Sequence, residues 1–195
     1  LRPCVYVEGV DGSGKTTLAT QFIREGIEQG EPGVIAVFEK RPDEYLTTAP
    51  GAAELGQLVT DRQLKMLYLR PLDLSVDETM EEIAAAVKQV GATRVVIDSL
   101  MGFELALAPS FREDFRESLY RMVGALVDLG VTVLMTAEIV DSYTELRLSP
   151  HGISFLTDAI ILQRYVELEG ELRRVLVVAK MRGFDHQKQL RMYDI

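Results

Sequence analysis

The chain has 195 residues, of which 47% are hydrophobic and 26% charged, and its formal net charge at pH 7 is −9. This composition is typical of a water-soluble globular domain, and we assign one domain to residues 1–195. The negative charge argues against DNA or RNA as the main partner, because nucleic-acid affinity depends largely on basic side chains. The single cysteine, Cys4, excludes an internal disulfide and fits the cytoplasm, and no apolar run reaches the roughly 18 residues that span a membrane.

A short strand, a glycine-rich turn and a helix are the first predicted elements. The apolar run Val5 to Val7 leads into a match to the phosphate-loop pattern G-x-x-x-x-G-K-[ST], formed by Gly9, Val10, Asp11, Gly12, Ser13, Gly14, Lys15 and Thr16. Glycines let backbone N–H groups turn toward a phosphate, and the following helix adds the positive end of its dipole. We therefore predict that this loop, with Thr17, binds a nucleoside triphosphate.

Two residues of the loop carry specific expectations. Lys15 is expected to neutralise the β- and γ-phosphates, and the Thr16 hydroxyl is expected to ligate Mg²⁺. The alternative is a strand-to-helix turn that contains Lys-Thr by chance, and the predicted strand and helix on either side argue against it. The sequence lacks the Asn-Lys-x-Asp motif that reads guanine, which favours ATP over GTP.

A second buried strand is predicted over Val34 to Phe38, and Glu39 follows it. The carboxyl ends of parallel strands converge on the ligand crevice, so we expect Glu39 to help hold the metal or to orient or deprotonate the attacking water. A solvated acid at a strand end is the alternative. The next stretch, from Arg41 to Lys65, shows only weak helical periodicity, broken at Pro50-Gly51, and Met66 to Leu69 is predicted as a strand.

The following helix and strand end on a second candidate acid. Ser75 with Glu78 forms a capping box, which predicts the start of an amphipathic helix. Arg94 to Ile97 is then a predicted buried strand that ends on Asp98, the form of a Walker B element. We expect Asp98 to hold the water shell of Mg²⁺ beside Thr16; a simple turn or cap residue is the alternative.

The pattern repeats once more before it changes. Ser110 with Glu113 predicts another capped helix, and Val131 to Met135 predicts a strand. Glu138 follows that strand, where a γ-phosphate sensor and a structural polar residue are both open interpretations. Because strands and helices alternate to this point, the sequence predicts an α/β fold with a parallel sheet and helices on both faces.

The last quarter contains strands without intervening helices. Ala159 to Leu168, Glu171 to Ala179 and Gln189 to Tyr193 are predicted strands, the first two joined by a turn at Glu169-Gly170. Short connections favour antiparallel pairing, so we expect these strands to extend the sheet at one edge.

Several short segments are weak motifs alone but specific in their joint order and spacing. They are Glu39, Val95 to Leu100, Lys180-Met181-Arg182-Gly183 and His186, with Thr157 to Leu162 and Tyr165 to Glu167. With the phosphate loop they resemble the KaiC-like circadian-clock ATPases, which belong to the RecA-like branch of phosphate-loop proteins. The resemblance spans nearly the whole chain and implies a RecA-like three-layer core, with a mainly parallel sheet and C-terminal antiparallel strands.

The resemblance also implies how the site is completed. ATP would lie between neighbouring subunits of a hexameric ring, with Lys15, Thr16 and Asp98 acting from one subunit. Lys180 and Arg182 would reach the γ-phosphate of the neighbour's ATP, in the manner of an arginine finger. The same neighbour would flank the nucleotide with Arg174, Met181, Phe184, His186 and Lys188. Without the resemblance, a solvated basic patch on an edge strand is the alternative. Many family members carry two such domains in tandem.

Two positions depart from the family pattern. The clock member has two adjacent glutamates after the second strand, whereas this chain has Glu39-Lys40, which puts fast hydrolysis and phosphoryl transfer in question. The autophosphorylated Ser-Thr pair of the family falls at Ser154-Phe155. Ser154 therefore remains as a candidate phosphate acceptor, and its neighbouring acceptor is absent.

Three functions are compatible with these residues. The leading hypothesis is a slow Mg²⁺-dependent ATPase domain of a KaiC-like regulatory protein. The second is a nucleotide-gated oligomerisation module with negligible turnover, which Lys40 favours. The third is a recombinase-type DNA-dependent ATPase, against which the net charge of −9 counts.

Overall fold

The computed structural model describes residues 3–39, 41–49, 51–69, 75–106, 115–139 and 155–195. Strands and helices alternate along most of it. The elements in chain order are β1 (Cys4–Gly9), α1 (Lys15–Glu28), β2 (Gly33–Val37), α2 (Pro42–Thr48), α3 (Ala52–Thr60), β3 (Leu64–Tyr68), α4 (Val76–Val90), β4 (Arg94–Asp98), α5 (Leu100–Ala106), α6 (Phe115–Asp128), β5 (Thr132–Glu138), β6 (Ala159–Leu168), β7 (Glu171–Met181) and β8 (Arg191–Met192).

The strands form one 8-stranded sheet in the order β3-β2-β4-β5-β1-β6-β7-β8. Every pairing from β3 to β6 is parallel, and the β6–β7 and β7–β8 pairings are antiparallel. This topology confirms the predicted parallel sheet with a C-terminal antiparallel extension. The glycine-rich loop follows β1, which lies inside the sheet, and therefore opens where the parallel strands end.

Apolar side chains cover both faces of the sheet. Successive residues of a strand point to opposite faces, so Tyr6 belongs to one buried cluster and Val7 to the other. The Tyr6 cluster includes Leu119 of α6, and the Val7 cluster includes Ile23 of α1. The sheet is therefore the middle of three layers, as predicted.

Two predicted local signals are confirmed. Ser75 and Glu78 form the reciprocal capping box that starts α4. Glu169 and Gly170 have φ angles of 53° and 80°, which make the tight connection between β6 and β7. The predicted capping box of Ser110 and Glu113 lies outside the described residues.

Other elements differ from the sequence prediction. The poorly patterned stretch after Glu39 contains α2 and α3, and β3 begins at Leu64 instead of Met66. Helices of two or three turns show little periodicity, and these two are anchored by the buried side chains of Tyr45 and Leu55. The helix α5 is not predicted from the sequence, and the last strand is limited to two exposed residues. Within the described part of the chain, no helix has the length and apolarity to cross a bilayer.

Candidate functional site

The glycine-rich turn between β1 and α1 is shaped by close backbone approaches. A Cβ at Gly9 would lie 2.5 Å from Ser13 Oγ and 2.8 Å from the Gln163 carbonyl oxygen, so only glycine fits there. Gly12 and Gly14 have φ angles of 70° and 96°, a region that side chains disfavour. The turn therefore depends on the two glycines that the pattern fixes, Gly9 and Gly14, and on Gly12 between them; Gly14 is the N-cap residue of α1.

Lys15 lies with its ammonium group over the loop itself. Its Nζ donates to the carbonyl oxygens of Gly9 and Val10, at 3.0 and 2.9 Å. Burial lowers the pKa of Lys15, while the charge of Glu138 is the largest of several acidic influences that raise it. The structure thus places one cation among carboxylates at the phosphate loop.

Asp98 accepts hydrogen bonds from three hydroxyl groups on different elements. Thr16 Oγ1 donates to Oδ2 at 2.9 Å, and Tyr45 Oη donates to the same oxygen at 3.3 Å. Thr136 Oγ1 of β5 donates to Oδ1 at 2.5 Å. The expected proximity of Thr16 and Asp98 is therefore present. Neither Tyr45 nor Thr136 was identified from the sequence as a site residue. The available signal for Thr136 was its position directly after the predicted strand Val131 to Met135.

Glu39 lies beside Asp98 because β2 pairs with β4. Val37 is the register partner of Asp98, and Ser99 Oγ donates to Glu39 Oε1 at 2.9 Å. A Cβ at Gly102 would lie 2.7 Å from Phe38 Cβ and 3.1 Å from Glu39 Oε1, so the start of α5 closely approaches this segment. Glu39 remains exposed to solvent, with one carboxylate oxygen fixed by Ser99.

The loop and these acids border one cavity of about 390 Å³. It opens along the carboxyl ends of β2, β4 and β5. Its lining includes predicted residues of the loop, both candidate acids and Glu138, namely Asp11, Gly12, Gly14, Lys15, Thr16, Thr17, Glu39, Asp98 and Glu138. Tyr45, Thr48, Ala49 and Ile195 complete much of the remaining wall.

The C-terminal strands contact the outer side of the loop. Tyr165 Oη donates to the Gly12 carbonyl oxygen at 2.8 Å, and Arg174 Nε donates to the same oxygen at 3.3 Å. Tyr193 Oη donates to the Ser13 carbonyl oxygen. Arg174 therefore lies against the phosphate loop of its own chain, an arrangement that the sequence did not indicate.

Lys180 and Arg182 lie at the opposite end of the strands from the phosphate loop. Lys180 pairs with Ile160 near the start of β6, and its Nζ donates to the Thr157 carbonyl oxygen at 2.7 Å. Arg182 Nη2 donates to the Phe155 carbonyl oxygen at 2.8 Å, and Nη1 lies 3.6 Å from Asp158 Oδ1. Asp158 is level with Cys4 at the start of β1, whereas the phosphate loop follows its end. One chain does not bring this basic pair to its own loop.

The remaining predicted residues are more dispersed. Met181, Phe184 and Lys188 are exposed, and His186 is half-buried. Ser154 and Lys40 lie outside the described residues.

The sheet order, the two helical layers and the glycine-rich turn after β1 define an α/β protein with the RecA fold. A family profile described as "ATPase: KaiC" matches residues 2–195. The chain therefore belongs to the KaiC ATPase family, as the sequence motifs predicted.

Individual relatives agree with this assignment. The chain is 29% identical to "Circadian clock protein KaiC3" of Synechocystis sp. over 192 residues, covering 98% of this chain and 37% of the relative. It is 34% identical to "Circadian clock oscillator protein KaiC" of Synechococcus elongatus over 197 residues, covering 93% and 36%. The chain thus spans little more than a third of these curated relatives.

A crystal structure of a KaiC-like protein from the hyperthermophilic archaeon Pyrococcus horikoshii OT3 superposes with a TM-score of 0.86. That match has 30% sequence identity and covers 99% of this chain and 85% of the other. This structural match agrees with both the RecA fold and the KaiC ATPase family.

Proposed function

We propose that this chain is an ATP-binding domain that hydrolyses ATP slowly with Mg²⁺, within a KaiC-like regulatory protein. The observation that carries the proposal is the 2.9 Å contact between Thr16 and Asp98, which lies in the cavity beside the phosphate loop. This contact joins the expected triphosphate cradle to the expected metal-holding acid. The cavity of about 390 Å³ is of the size that small-molecule sites usually have.

The triphosphate would bind at the turn between β1 and α1. Backbone N–H groups at the start of α1 and the Lys15 ammonium supply the positive environment for the β- and γ-phosphates. Lys15 would exchange its carbonyl partners in the loop for phosphate oxygens, a stronger charge-assisted interaction. The adenine is expected on the basis of the sequence, which lacks the guanine-reading motif.

The residues beside the loop fit Mg²⁺. Among the described residues, no group of three or more His, Cys, Asp and Glu side chains is arranged to hold a metal by itself. A hydroxyl next to a carboxylate, Thr16 with Asp98, is instead the hard-oxygen set that binds Mg²⁺ together with substrate phosphates and water. Bound Mg²⁺ would supply charge neutralisation on the phosphate oxygens. Glu39 is the further candidate on this side of the cavity.

Glu39 would also orient the attacking water. Ser99 fixes one of its carboxylate oxygens and leaves the other to accept a hydrogen bond from water. Water oxygen would bond to the γ-phosphorus as the bond from that phosphorus to the β–γ bridging oxygen breaks. ADP and inorganic phosphate are the products, and Glu39 would accept the water proton before solvent takes it.

A second subunit would complete the site. Lys180 and Arg182 lie away from their own loop, so they can act on a triphosphate only from a neighbouring copy. Cytosolic hexameric rings with ATP at their interfaces are the form we propose, with Arg182 stabilising charge on the γ-phosphate. Arg174 contacts its own Gly12 and would support the loop within its chain.

We propose two further activities for this chain. Nucleotide-gated assembly without turnover is the alternative function, which the Glu39-Lys40 sequence favours because a second acid is absent. Ser154 is proposed as a weak autokinase acceptor. We further propose that residues 1–195 fold as one domain of a longer protein, consistent with its coverage of the curated relatives.

Phosphate release separates the enzyme from the assembly module. Wild type and Lys15→Ala are incubated with ATP and Mg²⁺ at matched concentrations, and inorganic phosphate is followed over hours. Hydrolysis predicts release by wild type that Lys15→Ala lacks. Equal release by both would refute the ATPase proposal, and wild-type binding of ATP without release would favour the assembly module.

A further inference from the structure

Tyr45 connects α2 to the candidate metal-holding acid. Its side chain is 2% exposed, and its hydroxyl donates to Asp98 Oδ2 at 3.3 Å. That oxygen is also the acceptor for Thr16. Two hydroxyls from different helices therefore converge on one carboxylate oxygen at the edge of the cavity.

Toward Asp98 the Tyr45 hydroxyl is the donor, because a carboxylate oxygen can only accept. A neutral phenol next to a carboxylate donates its proton in the hydrogen bond, so the contact orients Asp98 and leaves its charge in place.

The hydroxyl is not required merely because a buried tyrosine must have a partner. Tyr6 is also fully buried, on β1, and its hydroxyl has no hydrogen-bond partner among the described residues. The core of this fold thus holds one tyrosine hydroxyl without a bond and directs another to Asp98. The difference between Tyr45 and Tyr6 points to a role at the site.

We propose that Tyr45 is a positioning residue that fixes the Asp98 carboxylate for Mg²⁺ bound with nucleotide beside Thr16. Tyr45, Thr48 and Ala49 all line the cavity, so α2 forms its wall while its tyrosine holds the acid. A nucleotide bound against α2 would then be linked through Tyr45 to metal affinity at Asp98. This inference rests on the proposed Mg²⁺–ATP site and extends it to a residue outside the loop and the acidic strand ends.

A metal titration with a fluorescent ATP analogue tests the role directly. Wild type, Tyr45→Phe and Tyr6→Phe are compared, since both variants remove one hydroxyl from a buried tyrosine. The readout is nucleotide affinity as a function of Mg²⁺ concentration, with one series in EDTA. Circular dichroism checks the fold, and Tyr45→Leu provides a second variant without the hydroxyl.

We expect Tyr45→Phe to raise the Mg²⁺ concentration for half-maximal binding about tenfold, the lower end of losses when outer-shell partners of metal ligands are removed. Affinity in EDTA should not change, saturating Mg²⁺ should rescue binding, and Tyr6→Phe should follow wild type. Overlapping titrations for wild type, Tyr45→Phe and Tyr45→Leu would overturn the inference alone. Nucleotide binding by wild type that ignores Mg²⁺ would overturn the proposed metal site and this inference together.

Discussion

The Thr16 hydroxyl donates a 2.9 Å hydrogen bond to Asp98 Oδ2, although the two residues lie 82 positions apart in the chain. Parallel pairing produces this contact, because β4 and β1 both flank β5 and end at the same edge of the sheet. The first turn of α1 then carries Thr16 toward the end of β4. A hydroxyl and a carboxylate are thereby held together beside the phosphate loop, where Mg²⁺ is proposed to bind.

Thr16→Ala should weaken Mg²⁺-dependent ATP binding by about tenfold to a hundredfold, because a polar contact to a charged group contributes about 1.5–3 kcal/mol. Binding in EDTA should change little because Lys15 and the loop amides remain. Thr16→Ser is the matched control and should retain most affinity, since it keeps the hydroxyl. Calorimetric titration with ATP measures both, and equal losses in Ala and Ser variants would argue against a hydroxyl ligand.

Thr136→Val should lower the free energy of unfolding by about 1.5–3 kcal/mol, the usual contribution of a hydrogen bond to a charged group. Thr136 is fully buried and donates to Asp98 Oδ1 at 2.5 Å, so valine would leave that oxygen with one donor fewer. Urea unfolding gives the change. Thr132→Val, at the other end of β5, is the control; an equal effect there would show that the Asp98 contact is not the cause.

Glu78→Gln should destabilise the protein at neutral pH and lose this effect in acid. The backbone N–H of Ser75, followed by its side chain, lowers the pKa of Glu78 below its ordinary value of 4.5. A carboxyl with a depressed pKa stabilises the fold above the unfolded-state pKa and loses that contribution as pH falls through the folded-state value. The unfolding free energies of wild type and variant should converge as the pH falls below the folded-state pKa of Glu78; a gap independent of pH would contradict the capping contribution.

Mixing two inactive variants should restore ATP hydrolysis if the basic pair acts on a neighbour's nucleotide. Lys15→Ala removes the phosphate-loop cation, and Arg182→Ala removes the proposed trans cation. In a random equal mixture, about a quarter of the interfaces would combine intact Lys15 with intact Arg182. Arg173→Ala, on the exposed part of β7, is the control and should stay active alone. Mixtures that remain inactive while forming mixed rings would exclude the trans role.

Local sequence patterns predict most of the fold and, within the candidate site, the phosphate loop and Asp98. Both signals lie in neighbouring residues of the chain. The loop is recognised by the spacing of its glycines, and Asp98 by the apolar strand that ends on it. Tyr45 was not predictable, because α2 has fewer than three turns and its one buried side chain gives no periodicity. The contacts of Tyr165, Arg174 and Tyr193 with the loop depend on how the antiparallel strands fold back, which spacing in the chain does not encode.

Calorimetry of ATP with the wild-type chain and with Lys15→Ala, with and without Mg²⁺, is the most direct test of Mg²⁺–ATP binding at the phosphate loop. We predict one ATP per chain, tighter binding with Mg²⁺, and loss of most affinity in Lys15→Ala. Unchanged affinity in Lys15→Ala, or wild-type binding that is indifferent to both the lysine and the metal, would contradict it.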